Sequence, residues 1–165
     1  MTLSHYFAKM KIVNINYKGI VKKHVSMVHR KAPPYMSVFT SDTGEKLLVF
    51  KSGKCRVMGC KKAMHTPTFP IPIEIQSIQS VTASLDMGHE VNLYKLANRL
   101  TCKNCMYEPE LFPALRLTSA FNPYCVNVFA SGKIMILGLK TFDIEPICHD
   151  IQRYIYKHLL PIYKQ

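Results

Sequence analysis

Two cysteines, Cys102 and Cys105, stand in the Cys-x-x-Cys spacing that supplies half of a tetrahedral zinc site. The other half would have to come from Cys125, Cys148 or His149, which form no second pair, so thiols without metal are the expectation. The sequence holds no Gly-rich phosphate loop and no Ser/His/Asp or paired-carboxylate arrangement that could support catalysis. Neither an enzyme nor a bound cofactor is expected. The chemistry that remains is charge: 22 Lys and Arg stand against 10 Asp and Glu, a net charge of +12. Residues 1–75 carry 13 basic against 3 acidic side chains, and residues 76–165 carry 9 against 7. An excess concentrated in one half points to a polyanion, with nucleic acid first, although a solvated basic face is the plainer alternative.

The elements that must position this charge occur twice. Phe50-Lys51-Ser52-Gly53-Lys54 through Gly59-Cys60-Lys61 matches Phe129-Ala130-Ser131-Gly132-Lys133 through Gly138-Leu139-Lys140. Ser-Gly-Lys is a tight-turn signal between strand-like runs, so each copy reads as a β-hairpin. Upstream, Met10 to Gly19 matches Gln79 to Gly88 at an offset of 69, each a strand-like run closed by Gly. A helix-like segment follows in both copies, Val21 to Arg30 and Val91 to Arg99. Strand, helix and hairpin repeated with insertions only in loops indicate an internal duplication, with repeats over residues 1–72 and 73–165.

In chain order, residues 1–9 are expected to be a loose or helical N-terminal arm, and they lack the apolar core of a signal peptide. Lys11 to Tyr17 alternates as a half-buried strand. Pro33-Pro34 stops the first helix, and strands Tyr35 to Thr40 and Lys46 to Lys51 flank the turn Asp42-Thr43-Gly44-Glu45. Arg56 to Cys60 completes a meander, and Pro67, Pro70 and Pro72 make a linker that no regular helix can cross. The second copy predicts strands at Ile73 to Gln76, Ile78 to Asp86, Leu115 to Ala120, Cys125 to Ala130 and Ile134 to Leu139. Its helices are expected at Val91 to Leu100 and from an Asp143 N-cap to Leu159. Ile144, Ile147, Ile151, Tyr154, Ile155 and His158 would form the apolar stripe of the last helix. With 48% apolar residues the chain can bury one substantial core or two small fused ones, and no apolar run is long enough to span a bilayer. Six Cys read as reduced thiols, several of them small hydrophobes in strands.

Tyr107-Glu108-Pro109-Glu110-Leu111-Phe112-Pro113-Ala114-Leu115, followed by Phe129 in Val128-Phe129-Ala130-Ser131-Gly132-Lys133, closely resembles the second repeat of the TATA-binding protein family. The resemblance covers residues 73–160 well and residues 10–61 more weakly. It implies an α+β saddle of two pseudo-symmetric repeats, with a curved antiparallel sheet beneath and helices on the convex side. It also implies double-stranded DNA bound in the minor groove and bent by apolar wedges that unstack base steps. The matching wedges are Phe112 and Phe129 in the second repeat, and Phe50 and Tyr35 in the first. Without the resemblance, Phe50 and Phe129 would read as core. Lys54, Lys61, Lys133 and Lys140 fall where the family approaches phosphates.

The chain also departs from the family's pattern. The resemblance implies central base-edge readers at Lys11 and Ser80, where the family has Asn, and at Met58 and Leu137, where it has Thr. Preference for TATA-like sequence is therefore expected to be relaxed or altered. The loop Glu108, Pro109, Glu110, Leu111 resembles the family's second stirrup, which implies contact with a transcription factor IIB-like protein. The expectation is a transcription initiation factor that joins RNA polymerase machinery in the nucleus, or in a viral replication compartment if this is a viral or divergent paralogue. The alternative from a different class is a protein-interaction module of a polymerase assembly that no longer bends DNA. A substrate-recognition domain of a nucleic-acid enzyme ranks last.

Overall fold

The computed structural model describes residues 9–22, 36–63, 67–100, 105–117 and 120–159. They form an α+β fold that divides into two compact units. One comprises residues 12–81; the other runs from residue 82 and includes residues 9–11. The division falls inside a strand, between Val81 and Thr82.

The first unit is built on alternation. Its strands are β1 (Lys9–Val21), β2 (Met36–Thr40), β3 (Lys46–Phe50), β4 (Lys54–Cys60) and the first part of β5 (Ile73–Asp86), in the order β2-β3-β4-β1-β5. Cross-strand pairing aligns Phe39, Leu47, Val57 and Tyr17 in one row and Ser37, Val49, Cys55 and Gly19 in the next. Apart from half-buried Phe39, all of these are buried, with Leu47 and Val57 wholly inaccessible. The intervening row of Val38, Leu48, Arg56 and Lys18 faces the other way, because successive side chains of a strand point to opposite faces. A register shift between Ile15 and Tyr17 marks a bulge against β4. The turn after β2 is closed by the buried Glu45 carboxylate, which accepts hydrogen bonds from the hydroxyls of Ser41 and Thr43.

The second unit repeats the scheme, and its described residues also include two helices. Its sheet runs β5-β9-β8-β7-β6, with β6 (Cys105–Met106), β7 (Ala114–Leu117), β8 (Cys125–Phe129) and β9 (Lys133–Leu139). Leu115 pairs with Val128 and Val128 with Ile134, while Leu117 pairs with Val126 and Val126 with Ile136. All six side chains are fully buried, so one face of this sheet is continuous aliphatic core. Helix α1 (Leu93–Arg99) is capped by Asn92, whose Oδ1 accepts the Lys95 N–H at 3.0 Å, and it buries Leu93 and Leu96. Helix α2 (Glu145–Leu159) buries Cys148, Ile151, Ile155 and Leu159, a stripe at helical spacing.

Several expectations are corrected. The first strand extends to Val21, which ends β1 instead of opening a helix; beyond Lys22 the expected helix lies outside the described residues. The segments at Ile73 and Ile78 are one uninterrupted strand, β5. Asp143 is not the cap of α2. The Ile144 carbonyl accepts the Cys148 N–H, which puts Ile144 at the cap position, and Asp143 donates its own N–H to Thr141 Oγ1. The buried stripe of α2 begins at Cys148, leaving Ile144 and Ile147 half-buried, while half-buried Tyr154 and His158 pack with Phe121 and with each other. Among the described residues no helix is long and apolar enough to cross a membrane.

The Ser-Gly-Lys turns hold both meanders together, but their two glycines are not equally constrained. Each lies in the left-handed region, at φ +79° for Gly53 and +83° for Gly132. A Cβ on Gly53 would meet nothing within 4 Å, whereas one on Gly132 would lie 1.9 Å from the His89 carbonyl oxygen. Gly53→Ala is expected to lose about 1–3 kcal/mol from backbone conformation alone. Gly132→Ala should lose clearly more, since backbone must move as well. Thermal unfolding of the two single variants checks this, and equal losses would mean that the His89 loop yields at no cost.

Candidate nucleic-acid interface

In each unit the face opposite the core carries the candidate side chains. Phe112 and Phe129 both stand half-buried in the second unit, their ring centroids 6.2 Å apart at an interplanar angle of 63°. Phe129 ends β8 opposite Ala114, and Phe112 lies two residues before Ala114, so strand pairing brings the rings together. The turn ahead of Phe112 is held by the N–H groups of Leu111 and Phe112, which both donate to the Glu108 carbonyl at 3.0 and 2.9 Å. In the first unit Phe50 occupies the place of Phe129, half-buried and opposite Met36. The residue two before Met36 is Pro34, so Tyr35 is one position off the spacing of Phe112; it lies outside the described residues.

The polar centre of the first unit depends on register. The Val21 N–H donates to the Gly53 carbonyl at 3.0 Å, and the Met87 N–H makes the same bond to Gly132 at 3.1 Å. With the two turns superposed, Val21 corresponds to Met87, an offset of 66 instead of 69. Burial agrees, because Ile15, Tyr17 and Gly19 then match Val81, Ala83 and Leu85, all buried. The cause is Gly19. It does not close its strand as Gly88 does; it lies inside β1, where a Cβ would come 2.5 Å from the Glu74 carbonyl oxygen. The shift puts Asn14, not Lys11, in the place of Ser80, and Asn16 in the place of Thr82. Lys11 is exposed near the start of β1.

Asn16 is fixed at both ends of its amide. Its Oδ1 accepts the Gly59 N–H at 3.4 Å, and its Nδ2 donates to Ser80 Oγ at 3.2 Å. The backbone donor settles which end of the amide is oxygen. Ser80 Oγ is thereby used as an acceptor, and its proton is left to donate elsewhere. Asn14 Oδ1 is buried and has no hydrogen-bond partner.

The remaining candidates are scattered around this frame. Met58 is 39% exposed and Leu137 half-buried; Lys54 and Lys133 are exposed beside the Ser-Gly turns, and Lys61 and Lys140 are exposed just past the far ends of β4 and β9. Glu108 and Glu110 are exposed, and Leu111 is exposed to 80%. Cys102 lies outside the described residues, and among those described no group of three His, Cys, Asp or Glu side chains could hold a metal. Sequence reasoning passed over Asn14, Asn16, Arg56, Arg116 and Asn127. The signal that finds Asn14 and Asn16 is their place opposite Ile15 and Tyr17 in the alternation of β1.

Comparison with known proteins bears on this arrangement. In solved structures the α+β fold is shared with the Methanococcus jannaschii TBP, at a TM-score of 0.74 and 26% identity, covering 90% of this chain and 99% of that one. The family model described as transcription factor TFIID, or TATA-binding protein, matches residues 75–158. TATA-box-binding protein 2 of Haloferax volcanii is 32% identical over 127 residues, covering 68% of each chain. The TATA-box-binding protein of Methanosphaera stadtmanae is 34% identical over 110 residues, covering 58% of this chain and 59% of its own. The chain belongs to the TATA-binding protein family.

Cys60 and Cys148 serve packing in the core behind the candidate interface. Burial, with the Glu45 carboxylate nearby, pushes the Cys60 thiol up to about 11, and burial pushes Cys148 up to about 11. At neutral pH both therefore stay protonated, and the thiolate that would react is scarce. Iodoacetamide at pH 8 is expected to leave Cys60 and Cys148 unmodified in the native protein and to label both in denaturant. Peptide mass spectrometry reads the outcome, and rapid native labelling at either site would contradict it.

Proposed function

We propose that this protein is a non-catalytic transcription initiation factor that binds the minor groove of double-stranded DNA and bends it. The observation that carries this is the Phe112–Phe129 pair: two large apolar rings meet edge to face on the face opposite the core, in a chain of this family. Rings held there are positioned to wedge into a base step, and the unstacking cost of a few kcal/mol is offset by the contact that a bent duplex permits. Phe50 does the same in the first unit. Lys54, Lys61, Lys133 and Lys140 supply attraction to phosphates that weakens with salt.

Sequence preference is altered in this proposal. Asn14 keeps an amide in the first unit where the second has Ser80, and Met58 and Leu137 offer no hydrogen bond at all. A TATA element should therefore be favoured over a scrambled A·T-rich duplex by less than about 2 kcal/mol, below the several kcal/mol typical of specific sites. A titration series on duplexes differing only in that element tests this; a TATA box winning by several kcal/mol would sink the altered preference.

Bending is tested with a short A·T-rich duplex labelled at both ends and read by energy transfer across a salt series. Salt-sensitive binding that shortens the end-to-end distance is expected, with the shortening lost in Phe112→Ala and Phe129→Ala. Binding without shortening would make the rings ordinary packing.

The exposed turn Glu108 to Leu111 is proposed as the docking point of a IIB-like factor, through which RNA polymerase machinery is recruited in the nucleus or in a viral replication compartment. Charge reversal at Glu108 and Glu110 should abolish that recruitment and spare DNA binding. A second reading, a protein-interaction module without DNA bending, draws on exposed Met106 and Leu111 beside an open groove of about 290 Å³. Absence of DNA binding at low salt would favour it.

A further inference from the structure

The face opposite the core carries a feature that the duplication does not explain. Across the three-strand meander of the first unit the row Val38, Leu48, Arg56 ends in an arginine on β4, which pairs on to Lys18 of β1. In the second unit the row Arg116, Asn127, Met135 begins with one on β7. The rows correspond, but the arginines stand at opposite ends of them, so neither is a copy of the other. Each nonetheless lies over the phenylalanine of its own unit. The guanidinium carbon is 5.9 Å from the Phe50 ring centroid for Arg56 and 5.0 Å from the Phe112 centroid for Arg116.

Among the described residues neither arginine makes an ion pair. Arg116 shares with Phe112 the open groove formed by Met106, Glu108, Leu111 and Ala114. A guanidinium is planar, permanently charged and weakly hydrated, so it rests on a ring without surrendering its donors. It presents donors only, in a fixed fork.

We propose that Arg56 and Arg116 enter the minor groove beside the base step that the neighbouring phenylalanine opens, and select A·T at the flanking pair. This rests on the DNA-binding reading above and names which residues would set preference at each wedge. A separation of 5–6 Å from the ring centroid corresponds to about one to two stacked bases at ~3.4 Å each. At the pair reached by that displacement the minor groove of A·T shows acceptors only, while G·C adds an amino donor that faces the guanidinium with nothing to accept. The negative potential of a narrow A·T minor groove favours the cation further.

The test uses the full chain and end-labelled A·T-rich duplexes over a salt series, with a parallel set in which A·T pairs are changed singly to G·C along the site. Arg116→Met is expected to weaken binding about tenfold and to reduce the slope of log affinity against log salt by about one. It should also erase the penalty for G·C at one position only, and Arg56→Met should do so at a different position. Arg116→Lys should keep the slope while losing that positional preference, because an ammonium lacks the planar fork. Unfolding curves of all variants should overlay the parent, since both side chains stand on the face away from the core. Met variants with parental slope and positional preference would overturn the proposal, even if affinity fell, because the arginines would then only pack on the rings. A parent chain that fails to bind would overturn the DNA-binding reading as well; a parent that binds and bends while the Met variants match it overturns this inference alone.

Discussion

Each unit depends on the pairing register of a three-strand meander, because the same register decides what is core and what is offered to a ligand. In the second unit Leu115, Val128 and Ile134 align on one side while Arg116, Asn127 and Met135 align on the other. A slip of one residue in β8 would send Val128 to the outer face and Phe129 inward. That exchange would expose aliphatic surface and bury a ring with no cavity to receive it. The Ser-Gly turns prevent the slip, and the contact of Gly132 with the His89 loop ties the turn to the start of the helical layer. Burial at about 25 cal/mol per Å² makes the six fully buried aliphatic residues of that face a dominant local term.

The same constraint divides chemistry between the faces. Cys55, Cys60 and Cys148, aliphatic residues and the helix stripe occupy the inner face, where burial keeps Cys60 and Cys148 protonated. Phe50, Phe112, Phe129, Asn14, Asn16 and Arg116 occupy the outer face half-buried, ordered by neighbours but reachable, while Arg56 there is exposed and Asn127 buried. Asn16 illustrates the point. It bridges the bulge amide of Gly59 and the hydroxyl of Ser80, so a backbone irregularity in β4 orients a side chain on β5. A half-buried polar row of this kind costs stability in the free protein, as the unpartnered Asn14 Oδ1 shows. Such a cost makes sense on a surface whose partner brings its own donors and acceptors.

Local signals carried much of this fold in the sequence itself. Ser-Gly-Lys turns, the Asp42 to Glu45 hairpin and the alternation of β8 and β9 are determined by neighbouring residues, and they read correctly for that reason. The Tyr107 to Leu115 string carried the family. What did not read correctly depended on contacts that carry no sequence period, one of them distant and two local. Gly19 resembles a strand end until the Glu74 carbonyl is seen against it, and that single misreading moved the first-unit alignment by three residues, from Asn14 to Lys11. Asp143 resembles a cap until Thr141 takes its amide proton. Arg116 and Phe112 sit four residues apart on a turn and strand, where no sequence period predicts that a guanidinium will rest on the ring.

The central claim is that these outer faces engage DNA through its minor groove. Competition on a single A·T-rich duplex tests it most directly, with one small ligand that fills the minor groove and another that fills the major groove. The account predicts that the minor-groove ligand displaces the protein in proportion to its own occupancy, while the major-groove ligand leaves binding unchanged. Displacement by the major-groove ligand alone would contradict it.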